Sequence, residues 1–384
     1  MQSSIDIQGF RLSPQQKRLW TLQQTFGPAC AQGTLVIQGL LDVVRLERAV
    51  NAVVAKHEAL RTLFCKEPGV KVPLQVIVEE SKPAWEVIEL EKSNAAARRD
   101  EVLEDHRRRT IDWEQGPLVR CTLCRLSDDE HWLLISLPAM CADARTLRNL
   151  ADESATRYRA ITQHVPDEGS VQYAQFAEWQ NELLAEEDTA KGQQFWQEVL
   201  ADPASISLPF EKMGEGPGGW TTNTVVWNLN PEVVASLLLL SNQRELPLEA
   251  LILTAWQTVL SRIGGRRTYL MALFNDGRKY EELESGMGLF ANWVPLRGRI
   301  DPNESFQNLA AEVASEQALV REWQEYFTWE NRFEATGLAT AELVGFEFET
   351  VEPIAQTADV VFSFEPAAVR FEPLKLILSC MRRN

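Results

Sequence analysis

HWLLISLPAMCADARTLRNLADESATRY, residues 131–158, changes its period part-way, and that change decides the fold. Residues 131–137 read as a half-buried strand, and so does the segment before them, 118–126. After Asp143 the period becomes helical, with Leu147, Leu150, Ala151, Ser154 and Tyr158 on one stripe. A strand that gives way to an amphipathic helix within a few residues is a unit of α/β proteins. The alternation extends in both directions. Upstream, residues 42–57 form a helix that Asp42 can cap, with Leu46, Val50, Val53 and Val54 on one apolar face. Leu74, Val76 and Val78 alternate as a strand. Downstream, helix 248–262 carries Leu251, Ile252, Ala255, Val259 and Leu260, stops at Gly264-Gly265, and is followed by strand 268–274. The architecture is therefore α/β with mixed sheets, in two lobes of similar size: 1–165 and 191–384, joined by a linking segment at 166–190. The loop 163–170 is the best boundary, and 209–219, rich in Gly and Pro, is the most flexible stretch. No repeat of solenoid period is present.

Composition narrows the function. At 384 residues the chain suits two or three domains. Hydrophobic residues at 45% and charged residues at 24% exclude disordered and fibrous classes. The formal charge of -17 repels phosphate backbones, and the short basic clusters Arg107-Arg108-Arg109 and Arg266-Arg267 do not offset it, so nucleic acid is not an expected partner. No apolar run approaches the roughly 20 residues that span a bilayer. The first residues lack the basic and apolar regions of a signal peptide. Six cysteines in mostly apolar segments read as reduced thiols of a cytoplasmic protein.

Phosphate-loop, dinucleotide-binding and nucleophile-elbow motifs are absent. Cys121 and Cys124 match a Cys-x-x-Cys pattern, but residues three apart on a strand face opposite ways, so both read as core. His57 ends a helix, His106 sits in a charged run, His131 opens a strand and His164 lies in a loop. No acidic residue stands beside any of them at metal-site spacing, and each reads as structural or solvated.

Five ordered segments resemble the condensation domain of nonribosomal peptide synthetases. Leu12 to Trp20 (LSPQQKRLW) is similar to that family's opening motif, and His57 to Phe64 (HEALRTLF) to its second, centred on Leu-Arg-Thr. Tyr173 to Gln180 (YAQFAEWQ) resembles the segment that starts the linking helix. Gly288 to Arg297 (GLFANWVPLR) resembles the Gly-x-Phe-x-Asn-x-x-Pro-Leu-Arg motif, and Trp323 to Phe333 the aromatic and acidic segment after it. The resemblance implies two chloramphenicol-acetyltransferase-like lobes in a V-shaped pseudo-dimer, with a tunnel between them. It implies carrier protein domains as partners, bringing thioesters on phosphopantetheine arms, an adjacent adenylation domain, and no cofactor held in the domain itself. The chain stops after a strand-like Leu374 to Cys380, where the family continues through another strand and a helix, so the second lobe is expected to be trimmed or shortened.

The family's active-site motif is His-His-x-x-x-Asp-Gly, and here the aligned residues are Pro138-Ala139-Met140-Cys141-Ala142-Asp143-Ala144. An imidazole can take the amine proton near neutral pH; the Ala139 methyl has neither lone pair nor donor. No catalytic residue is assigned. The resemblance implies a structural salt bridge between Arg61 and Asp143, and a tunnel lined by Met140, Cys141, Asn292 and Trp293. Cys141 would share a face with Ala139 on a continuing strand and stand near a helix start, but a space-filling thiol is the plainer reading. The expected function is a non-catalytic condensation-like domain, a platform for carrier proteins or a recruited tailoring oxygenase. The alternatives are an acyltransferase that joins carrier-bound thioesters by positioning alone, and a structural spacer.

Overall fold

The computed structural model describes residues 9–66, 69–109, 112–160, 169, 171–186, 190–201, 204–211, 223–333, 337–352, 354, 359–366 and 372–383. The boundary loop 163–170, His164 included, falls almost wholly outside these residues, as does 212–219 of the flexible stretch.

The chain opens with helix α1 (Pro14–Phe26). Ser13 Oγ accepts the Gln16 amide and Gln16 Oε1 accepts the Ser13 amide, a reciprocal cap that starts the helix at Pro14. Strand β1 (Cys30–Gly39) and helix α2 (Val43–Lys56), capped by Asp42, follow. The short strands β2 (Thr62–Cys65) and β3 (Leu74–Ile77) pair as a separate ribbon. Then come β4 (Ala84–Glu89), α3 (Ala95–Arg108), β5 (Arg120–Ser127), β6 (Glu130–Pro138) and α4 (Ala144–Arg159). Helices α5 (Tyr173–Ala185) and α6 (Ala190–Val199) lead into the second half. There α7 (Pro231–Arg244), α8 (Leu248–Gly264), β7 (Thr268–Asn275), β8 (Asn292–Arg299) and α9 (Phe306–Glu322) precede β9 (Val344–Val351), β10 (Val360–Pro366) and β11 (Leu376–Arg383).

Two mixed sheets organise these elements. The first has the order β10-β1-β6-β5-β4, antiparallel except where β4 runs parallel to β5; the second has the order β11-β9-β7-β8, antiparallel only at β7–β8. A core of α2, α4 and one face of the first sheet includes Leu35, Val53, Leu133 and Leu147. Another, around the second sheet, gathers Trp196, Leu253, Leu273, Val294 and Phe346. One strand breaks the correspondence between chain order and lobe. β10 comes from the second half yet pairs with β1 of the first sheet, Leu35 opposite Phe364, and buries Val360 and Phe362 in the first core.

The two thiols of the Cys-x-x-Cys segment part as strand geometry requires. Cys121 belongs to the first core, whereas Cys124 packs on the opposite face with Leu90, Leu103 and Leu134. His106, on α3, is buried rather than solvated. Its ring nitrogens meet Ser136 Oγ at 2.9 Å and Thr122 Oγ1 at 3.0 Å, and burial holds its pKa below the ordinary imidazole value.

Candidate functional site

Strand β6 ends at Pro138, which presents its carbonyl to the Cys141 amide at 2.9 Å, so residues 139–141 turn before α4 starts. The Ala139 amide donates to Ala29 at 3.0 Å, and Gln16 Nε2 donates to the Met140 carbonyl at 2.9 Å. Ala139, Met140, Cys141 and Ala142 are all buried in the first core. The continuing strand expected to align Cys141 with Ala139 is thus replaced by a turn. Burial pushes the Cys141 thiol far above its ordinary range, so it stays protonated and is no nucleophile.

Asp143, the next residue but one, is the hub of the site. It caps α4 through the Thr146 amide at 2.7 Å. Its Oδ2 also accepts the amides of Phe290 and Ala291, both at 3.0 Å. Arg278 closes the set as a buried bidentate partner, Nη1 to Oδ2 at 2.9 Å and Nη2 to Oδ1 at 3.0 Å. The expected partner was Arg61, and this is corrected. Arg61 ends the turn that leads into β2, where its guanidinium donates to the carbonyls of Ala55 and Val78. Asp143 instead faces the end of β7 and the segment before β8, and Arg278 comes from the turn after β7. The signal in the sequence is Asn275-Asp276-Gly277, a turn that closes a strand and delivers a single Arg beyond it. Gly277 has φ +72, and a Cβ there would stand 2.0 Å from the Phe290 carbonyl oxygen.

Three of the segments that resemble family motifs, at 12–20, 173–180 and 288–297, meet at this hub. Thr146 Oγ1 accepts from Gly288 N at 3.0 Å and donates to the Gly288 carbonyl at 2.7 Å. The Tyr173 hydroxyl donates to the Leu289 carbonyl at 2.7 Å and lies 2.7 Å from Ser13 Oγ; its ring packs edge-on to Phe290. Gly288, at φ +154, lies against that ring, where a Cβ would come within 2.1 Å of Tyr173 Cδ2.

Two crevices flank the hub and share no lining residue. One, of about 40 Å³, is lined by Asn292 and Trp293 together with Arg18, Trp329 and Glu372; Arg18 pairs with Glu372 at 3.0 Å and lies 5.3 Å above the Trp329 ring. The other, of about 460 Å³, opens beside Ala144, between α4, the end of β7 and β9. Of the residues expected to line a tunnel, Asn292 and Trp293 reach a crevice, while Met140 and Cys141 sit in the core. Pro138 and Ala139 line neither crevice. Among the described residues no group of His, Cys, Asp or Glu could hold a metal ion, and no helix is long and apolar enough to cross a membrane.

Two mixed sheets locked together at a capped Asp–Arg pair define the class. The chain belongs to the condensation-domain family, whose model matches residues 7–327. Its relatives are peptide synthetases. It is 32% identical over 314 residues to the probable non-canonical nonribosomal peptide synthetase CymA of Salinispora arenicola, across 79% of this chain and 4% of that protein. It is 27% identical to tyrocidine synthase 3 of Brevibacillus parabrevis, across 83% of this chain and 5% of that protein. The chain thus spans only a twentieth or so of the length of these relatives. Among solved structures, the condensation domain of the monacolin K polyketide synthase MokA superposes with a TM-score of 0.82 at 20% identity, over 97% of this chain and 89% of that one. The X-domain from teicoplanin biosynthesis, in a complex with OxyB, superposes with a TM-score of 0.77 at 24% identity, over 98% and 85%. These likenesses establish a chloramphenicol-acetyltransferase-like fold.

Proposed function

We propose that this is a non-catalytic condensation-like domain of a nonribosomal peptide synthetase, a platform that docks carrier proteins or a recruited tailoring enzyme. The carrying observation is the state of the motif loop. Asp143 keeps a complete set of donors, while the position where the family has its tunnel histidine holds a buried methyl group that reaches neither crevice. The scaffold persists, while position 139 itself has no group able to move a proton. A platform also needs an exposed apolar surface, and the second half carries one. Val225, Val226 and Trp227 are 86%, 84% and 76% exposed, and α7 after them buries none of its residues. The likeness to an X-domain solved with OxyB supports the tailoring-enzyme form of the reading. Phosphopantetheine arms would come with the carriers, an adenylation domain would stand next in the assembly line, and the cytoplasm is the proposed location.

The test is a pull-down with carrier proteins and candidate oxygenases, run beside a peptide-bond assay on the same preparation. The reading expects binding without turnover. Product above the spontaneous rate would establish the acyltransferase that works by positioning, and binding to no partner would leave the spacer.

A further inference from the structure

Helix α3 lies on the face of the first sheet turned away from the main core, and a buried polar cluster fastens its C-terminal end there. Gln32 on β1 sets the direction of the network. Its Oε1 accepts from Arg107 Nε at 3.2 Å and Nη2 at 2.8 Å. Its amide nitrogen is therefore the side that donates to the Leu103 carbonyl at 2.7 Å and to Ser136 Oγ at 3.1 Å. Ser136 accepts from Gln32 and has one place for its own hydrogen, His106 Nδ1 at 2.9 Å. On the other side of the ring, Nε2 lies 3.0 Å from Thr122 Oγ1, a hydroxyl with no other partner among the described residues. His106, Ser136, Thr122 and Gln32 are all buried, so water cannot complete the set.

A neutral imidazole has one donor and one acceptor, so it takes the hydroxyl hydrogen of one neighbour and gives its own to the other. A protonated ring only donates. Ser136 and Thr122 must then both accept, and two buried hydroxyl hydrogens are left unpaired instead of one. The new charge is also badly placed. Arg107 and Arg109 from the end of α3 and Arg120 from β5 stand against Asp105 on α3 and Glu86 on β4. Strand β1 brings no charged residue, and those of β6, Glu130 and His131, lie at the end away from Ser136. Burial first, then Arg109 and Arg120, holds the imidazole below its ordinary value. Little else fastens the helix: of its fourteen residues only Ala95, Leu103 and His106 are buried.

We infer that α3 is an acid-released flap: protonation of His106 detaches it from the first sheet and uncovers Leu90, Cys124 and Leu134 as an apolar face. The ring of the open form titrates near its ordinary 6.5, and that of the closed form lower. The closed form therefore has its full advantage above pH 6.5 and loses it as the pH falls below that value. With the closed ring neutral throughout, the open fraction rises about tenfold between pH 7.5 and pH 5.5.

Hydrogen exchange of the full chain, read by mass spectrometry at pH 7.5, 6.5 and 5.5 and corrected for the intrinsic rate, tests the inference. Peptides from 95–108 should lose about tenfold in protection across this range, while those from α2 and α4 keep theirs. The range stays above pH 4.5, where Glu153 begins to protonate. His106→Gln supplies a side-chain amide that both donates and accepts but does not titrate, so it should hold the protection of α3 constant to within about twofold. Protection of α3 that does not change with pH, a loss shared by all helices, or the same tenfold loss in His106→Gln would overturn the inference. The parent protein gives a second reading that needs no variant. Its four imidazoles are followed by NMR, and at least one should stay neutral to pH 5.5; all four titrating at or above pH 6.5 would overturn the inference as well.

Discussion

Replacing Arg278 by Met removes two of the five hydrogen bonds that the Asp143 carboxylate accepts, those from Nη1 and Nη2, and leaves the amides of Thr146, Phe290 and Ala291. It also withdraws the guanidinium from the Gly286 carbonyl and from Thr146 Oγ1. Both members of the pair are 1% exposed, so water cannot take over the lost role. Breaking one side of such a buried pair costs about 3–5 kcal/mol. With an unfolding entropy of about 2.1 cal/mol/K per residue, the 384 residues give about 0.8 kcal/mol/K if the chain melts as one unit. The melting temperature should then fall by about 4–6 °C. Differential scanning calorimetry of Arg278→Met, Asp143→Asn and the double variant forms a cycle in which the two losses should not add. Arg61→Met is the control, because it loses two carbonyl contacts at a partly exposed site and leaves the carboxylate untouched. A coupling energy below about 1 kcal/mol between positions 143 and 278, or a larger loss from Arg61→Met than from Arg278→Met, would refute the assignment of the hub.

Three further outcomes are expected. Gly288→Ala should destabilise by about 2 kcal/mol or more, measured by urea unfolding, since the added methyl meets the Tyr173 ring at 2.1 Å in a backbone conformation that L-residues avoid. Cys141 should resist labelling by a thiol reagent at pH 8 in the native protein and react only after denaturation, because burial keeps it protonated and inaccessible. Stability should decline in acid through Glu153: burial raises its pKa, but His57, Arg157 and Lys56 overcome that and hold it at about 2, below its unfolded value of 4.5. The stabilisation is complete above pH 4.5 and is lost as the pH falls toward 2, and His57→Ala should flatten that part of a chemical-denaturation series against pH.

Local pattern was enough for the elements. The apolar stripe of residues 42–57 became α2 at Val43–Lys56 with Asp42 as its cap, and strand 268–274 became β7 at Thr268–Asn275. The opposite faces of Cys121 and Cys124 followed from the period of a strand, and the resemblance to condensation domains rested on segments whose order survives in the chain. These readings succeed because helix and strand periods are properties of a few neighbouring residues. Partners remote in sequence have no such signature. Arg61 and Arg278 were both single arginines near motif-like segments, and only the approach of the turn after β7 to the start of α4 chose Arg278, 135 residues from Asp143. His106 lay in a charged run, and only the fold of α3 onto β5 and β6 buried it between Ser136 and Thr122. β10 likewise joined a sheet built from the other half of the chain, since strand order depends on which edge is free, and its own residues do not encode that choice. The crevice beside Ala144, with Arg145, Asn275 and Glu349 brought from three separate elements, exists only once those elements are packed.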